Sequence, residues 1–135
     1  MGIRKVNIHF IFIFLVFFCF SCRNQTQERI DYILSFSTKG KISRYEKTEQ
    51  WISFNGDGYK IESFLITDTS IIDSARLKCI KYDGKWVNEC FANSEIYEFI
   101  VNTSGYYKRM FFEDQIEYAI IDTTRNLLFY YIIIY

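Results

Sequence analysis

Residues 127–135 read LLFYYIIIY, apolar at every position. Successive side chains of a strand point to opposite sides. A strand apolar on both sides lies inside a sheet or under a helix, and left exposed it is a stacking hazard. Nine residues are too few to cross a bilayer as a helix, and one such strand builds no membrane barrel. Leu127–Ile134 is therefore expected to be a central core strand.

Working outward from it, the same period of two recurs. Strands are predicted at Glu95–Val101, Tyr106–Phe112 and Ile116–Ile121. They are linked by 102–105, 113–115 and 122–126, lengths that suit hairpins. Further upstream, KCIKYDGKWVNEC (78–90) reads as a hairpin turning at Asp83-Gly84. QWISFNGDGYKIESFLI (50–66) reads as another, around Asn55-Gly56-Asp57-Gly58. SIIDSARLK (70–78) suits a short helical turn after Asp68 or Ser70. In 28–37, Ile30, Ile33 and Leu34 stand at helical spacing, with Thr26 a candidate N-cap and Gly40 a candidate stop; strand is the rival reading for Tyr32–Phe36. With no Pro, no internal repeat and no low-complexity linker, residues 28–135 are expected to form one small α+β domain. It is an antiparallel meander with one or two short helices to cover one face.

The N-terminal segment is of another kind. Arg4 and Lys5 precede every acid, and from Phe10 to Phe20 the chain is apolar. That run of about eleven residues is half the roughly twenty a spanning helix needs, and it fits the core of a signal peptide. Met1-Gly2 opens a myristoylation pattern, but Val6 stands where Ser or Thr is needed. The C-x-x-C at Cys19 and Cys22 lacks the folded strand–helix junction of a redox pair and the two further ligands of a zinc site. With Ser21 before it, Cys22 resembles the modified cysteine of a bacterial lipoprotein signal peptide. The resemblance covers 1–22 and implies that a diacylglyceryl thioether forms on Cys22, that cleavage follows Ser21, and that 22–27 is a lipidated tether. Cys19 and Phe20 stand where the family has Leu and a small residue. Ordinary signal peptidase, reading Cys19-Phe20-Ser21, gives the same mature start without lipid, and an uncleaved anchor is a third outcome. Arg23 replaces the Asp that retains some lipoproteins at the inner membrane, which favours the outer membrane.

Several chemistries are excluded. The formal charge is zero and no long basic run occurs, so nucleic acid is not an expected partner; beyond Cys22 acids exceed bases by about two, a mild aid to solubility. The one histidine, His9, leaves with the signal peptide. The mature chain thus has no Ser-His or Cys-His dyad and no His-ligated metal. No nucleotide-binding glycine pattern appears, and neither a cofactor nor a metal is expected. NGDGYKIE (55–62) fails as a calcium loop, because the ligand position six beyond Gly58 is Phe64 and Glu62 falls two short. Among sixteen acids no spacing selects a catalytic pair, and strand alternation is expected to leave Glu62, Glu95, Glu98 and Glu117 in solvent.

Two features remain. A hairpin turning at Asp83–Trp86 sets Tyr82 opposite Val87, Ile80 opposite Glu89 and Cys79 opposite Cys90. In an exported chain that predicts a Cys79–Cys90 disulfide; two buried thiols in a reducing setting are the alternative. The mature part also keeps both Trp, all eleven Tyr and eight of the fourteen Phe. Such rings fill a small core or build a contact surface. Tyr106-Tyr107 and Tyr130-Tyr131 point to opposite faces, so some rings lie outside a one-sided core. The resulting expectation is a lipid-anchored envelope protein whose domain binds another envelope protein, a toxin or hydrolase, or a glycan. A carboxylate-dependent envelope hydrolase is the alternative.

Overall fold

Helical spacing of Ile30, Ile33 and Leu34 produces the first element of the computed structural model, which describes residues 25–45, 49–52, 56–83 and 96–135. Helix α1 (25–34) buries all three side chains to 2 % exposure or less. Its start and stop differ from the sequence reading. Thr26 lies inside the helix rather than capping it, and residues 25–27, expected in the tether, are helical. The helix ends at Ser35, which takes a left-handed φ of 63°, with its amide on the Asp31 carbonyl. Gly40, also left-handed at φ 72°, serves a later turn, where Thr38 is tied by its amide and hydroxyl to the Asp31 carboxylate.

Strands β1 (Ile42–Arg44), β2 (Glu49–Ile52) and β3 (Gly58–Ile66) follow, then α2 (Ser70–Lys78) and β4 (Ile80–Asp83), the short helix α3 (Tyr97–Ile100), and β5 (Ser104–Phe111), β6 (Gln115–Asp122) and β7 (Leu127–Ile134). The hairpin expected around Gly56 is β2–β3, with Ile52 opposite Gly58 and Gly56 at φ 90°. The helix predicted after Asp68 is α2, whose first amide is held by the Asp68 carboxylate at 2.9 Å. Residues expected as the strand Glu95–Val101 form α3 over 97–100 instead. Ile96 and Ile100 are both fully buried; their i, i+4 spacing suits a helical turn as well as alternation suits a strand.

All pairings are antiparallel. The sheet runs β1–β3–β7–β6–β5–β4, with β2 beside β1 on the same edge of β3. β5 to β7 form the expected meander, with β4 beside β5 in the place expected of 95–101. β7 then pairs on its other side with β3, Ile61 opposite Tyr131, which makes it the central strand that its apolar sequence requires.

Cover comes from both sides, not one. On one face α1 and α2 bring Ile30, Ile33, Leu34, Ile71 and Ala75 onto Ala119, Ile121, Leu128 and Tyr130. On the other, Ile96, Phe99 and Ile100 pack with Tyr118, Ile120, Phe129 and Tyr131. The tyrosine doublet of β7 is thus buried twice over, Tyr130 at 5 % and Tyr131 at 0 % exposure.

Candidate functional site: an aromatic groove at one end of the tyrosine face

The second face carries a diagonal of tyrosines, Tyr82, Tyr107, Tyr118, Tyr131 and Tyr59, one from each of five adjacent strands. Tyr118 stacks on Tyr131 at 5.6 Å between centroids, and Tyr82 tilts against Tyr107 at 6.5 Å. The Tyr82 hydroxyl lies 3.2 Å from that of Thr103, which donates its own proton to the Ile100 carbonyl at 2.6 Å. Tyr82 is therefore the donor of the pair. Burial, with the nearby Asp122 charge adding to it, pushes the Tyr82 phenol well above its usual range. These rings are structural core.

Beyond the diagonal the face opens. A groove of about 240 Å³ is lined by Tyr45, Ser63, Leu65, Phe99, Arg125, Leu127 and Phe129. Its floor is two cross-strand pairs, Ser63 with Phe129 and Leu65 with Leu127. Phe99 of α3 forms one wall, edge-on to Phe129 at 6.1 Å. Tyr45, held to the sheet by its amide on the Ser63 carbonyl, forms another. Tyr45 is 52 % and Leu65 38 % exposed, so apolar surface here faces water.

The β6–β7 turn fixes the polar end. Asp122 is fully buried and accepts from the Thr124 amide at 2.8 Å, the Arg125 amide at 3.2 Å and Arg125 Nε at 2.6 Å. Arg125 Nη2 also donates to the Phe99 carbonyl, and the guanidinium lies 5.7 Å from the Phe129 ring centre. One cation thereby joins turn, helix and floor. Such prior fixing lowers the ordering cost of binding. Next to the turn, Gly105 lies so close to β6 that a Cβ on it would sit 1.8 Å from the Ile121 carbonyl oxygen.

The acids expected in solvent are divided. Glu98 is exposed and Glu95 lies outside the described residues. Glu62 and Glu117 are buried, at 5 % and 1 %, because α1 and the residues after it lie over the face that alternation alone would leave open. Glu117 accepts from Arg29 Nε and Nη2 at 2.7 and 2.8 Å, from the Tyr130 hydroxyl at 2.9 Å and from Gln115 at 2.5 Å. Burial pushes its pKa up, but the bonds from Arg29, Tyr130 and Gln115 and the Arg29 charge outweigh that and hold it below the usual carboxylate range. Glu62 sits 3.1 Å from Lys60 and 3.7 Å from Arg44, and its Oε2 is buried with no hydrogen-bond partner.

Of the other predicted site residues, Cys22 and Cys90 lie outside the described residues. Cys79 closes α2, its amide on the Ala75 carbonyl at 2.8 Å. Burial raises its thiol pKa, against the pull of Lys108 and Lys78. The first strand of the predicted hairpin is β4, which pairs with β5; its expected second strand lies outside the described residues. No group of three or more metal-ligating side chains, and no helix long and apolar enough to cross a membrane, occurs among the described residues.

Sequence reasoning did not single out Tyr45, Leu65, Phe99 or Arg125. They come from four separate segments, and the surplus of aromatic residues was the one signal pointing to them. Compared with protein-family models, curated proteins and solved structures, the chain matches none.

Proposed function

We propose that this chain is a lipid-anchored binding protein of a bacterial envelope. It is tethered through Cys22 and takes an apolar or aromatic side chain of a partner protein into the groove between Tyr45 and Phe99. The anchor rests on the signal-like segment ending at Ser21-Cys22; two or more acyl chains are what stable membrane attachment needs. The binding role rests on the groove, where exposed apolar walls stand on a floor and a cation that are already fixed. Its size selects among ligands. At about 240 Å³ it is smaller than the roughly 300–1,000 Å³ of small-molecule pockets but holds one or two large side chains. Ser63 and Tyr45 are its neutral polar side chains, too few to orient a sugar by converging hydrogen bonds. A protein partner is therefore favoured over a glycan.

The hydrolase alternative loses support from the setting of Glu117. Glu117 has its oxygens committed to three side chains on the helix-covered face, and its lowered pKa is the reverse of what a general acid needs.

The anchor and the groove are tested separately. Metabolic acyl labelling should mark the wild type and be lost in Cys22→Ser, with release from membranes, whereas Cys19→Ser changes neither. Crosslinked pull-down from the native envelope should recover a partner whose yield falls in Tyr45→Ala and Phe99→Ala. Acylation persisting in Cys22→Ser refutes the anchor, and partner recovery indifferent to both groove substitutions refutes the groove.

A further inference from the structure

The opposite end of the sheet, at the β5–β6 turn (112–114), carries a different set of exposed side chains. Phe111 and Tyr135 are each 64 % exposed and Tyr32 is 62 % exposed. The Arg29 guanidinium lies between rings, 4.4 Å from the centre of Phe112 and 6.0 Å from that of Tyr32. Arg109 lies 5.1 Å from the centre of Phe111. Tyr135 is held there by its amide on the Asp114 carbonyl at 3.0 Å.

The direction of α1 brings the chain's anchor to the same end. Ser35, just past the helix, takes bonds from Lys108 and Lys78, level with the middle of β5. Arg29 reaches Phe112 and Glu117, level with the β5–β6 turn. Going toward its N-terminus, α1 therefore runs to that turn, and residue 25 lies one helical turn beyond Arg29. Three residues, Cys22 to Asn24, separate the proposed acylated sulfur from the helix, a reach of at most about 10 Å. A strand of eight residues such as β6 is about 27 Å long. So short a link allows the β5–β6 end to touch the bilayer and keeps the β6–β7 end away from it.

We propose that this end, with Phe111, Phe112 and Tyr135 at its tip and Tyr32 flanking Arg29, docks on the lipid bilayer that holds the chain's own anchor, so that the aromatic groove opens away from the membrane. Aromatic rings with a polar tip and arginines with long apolar stems are the side chains that settle at the headgroup level. Among the described residues the charges at this end are Arg29, Lys60 and Arg109 against Glu28, Asp57, Glu113 and Asp114, close to balance, so the docking is one of ring insertion, little affected by salt and not dependent on anionic lipid. The inference rests on the acylation of Cys22.

The test uses the full acylated chain, purified from its producing cells and placed in phosphatidylcholine–phosphatidylethanolamine vesicles with a clickable phosphatidylethanolamine. A photoreactive phenylalanine analogue replaces Phe111, Tyr135 or Tyr45 in turn, and the N-terminal acyl group is checked on the same samples by intact mass. Lipid crosslinking several-fold higher from positions 111 and 135 than from 45, unchanged in high salt, is the expected result. Acylated protein with equal crosslinking at all three positions, or more at 45, overturns the docking and leaves the anchor standing. Unacylated Cys22 overturns both.

Discussion

The two faces of this sheet share their central strand and solve burial in opposite ways. The face under α1 and α2 is sealed over two carboxylates, Glu117 and Glu62, while their cations Arg29, Lys60 and Arg44 still reach water. The tyrosine face encloses rings and turns a fully buried acid, Asp122, into a brace for the turn and for Phe99. A groove remains open beside that brace. Enclosed charge is costly to disturb and has no access to a ligand; braced rings beside open apolar surface can meet one. Under the proposed binding role, the first face serves stability and the second recognition.

That division can be broken outright by removing what both faces share. Deleting Phe129–Tyr135 takes Phe129 and Tyr131 from one core and Tyr130 from the other. At roughly 1.5–3 kcal/mol for each large apolar side chain against a total stability of about 5–15 kcal/mol, the product should be unfolded. Circular dichroism and sedimentation decide it; a soluble fragment with a cooperative melt contradicts the central role of β7.

On the sealed face, Glu117→Ala leaves Arg29, Tyr130 and Gln115 without their acceptor. The loss should be about 3 kcal/mol, the lower end for a broken buried pair, because Arg29 can turn partly to water. A pH series sharpens the point. Glu117 has a folded pKa below its unfolded value, so its contribution is complete above the ordinary carboxylate range and disappears as pH falls through the folded value. Denaturant midpoints should drop on acidification below that range, and less steeply in Glu117→Gln; equal slopes refute the assignment.

On the tyrosine face, Gly105→Ala must push β5 away from β6, since the added Cβ meets the Ile121 carbonyl at 1.8 Å. A cost of about 1–3 kcal/mol is expected for such overpacking, read as a lowered Tm. A Cys79–Cys90 bridge, proposed from the sequence register, would contribute near or below about 3 kcal/mol over its short loop; non-reducing digestion and mass spectrometry should recover the linked peptide. Smallest in stability is Tyr45→Ala, half-exposed and expected within about 0.5 kcal/mol of wild type, yet it should weaken partner capture. A variant that binds normally removes the groove wall from the recognition surface.

Local pattern made the strands legible. Leu127–Ile134, the β2–β3 hairpin and the α1 triad Ile30, Ile33 and Leu34 all stand where the sequence places them. Residues 97–100 went the other way because Ile96, Phe99 and Ile100 satisfy a helical turn as readily as an alternating strand, and short apolar runs do not separate the two. The burial of Glu62 and Glu117 was not legible, since Arg29 and Glu117 stand 88 residues apart and alternation does not say what returns to cover a face. The groove, drawn from residues 45, 63, 65, 99, 125, 127 and 129, has no local signature at all.

The position of β7 has a kinetic meaning as well. β3, with β1 and β2, makes one half of the sheet, and β4, β5 and β6 make the other; among the described residues no ladder joins the halves except through β7. Every pairing that closes the sheet therefore waits for the last strand in order, and the β3–β7 contacts span most of the described chain. Non-local closure of this kind is slow. Synthesised in N-to-C order, the chain keeps both halves open-edged until β7 arrives. Assembly of this sheet is thus a single late event, timed by delivery of residues 127–134.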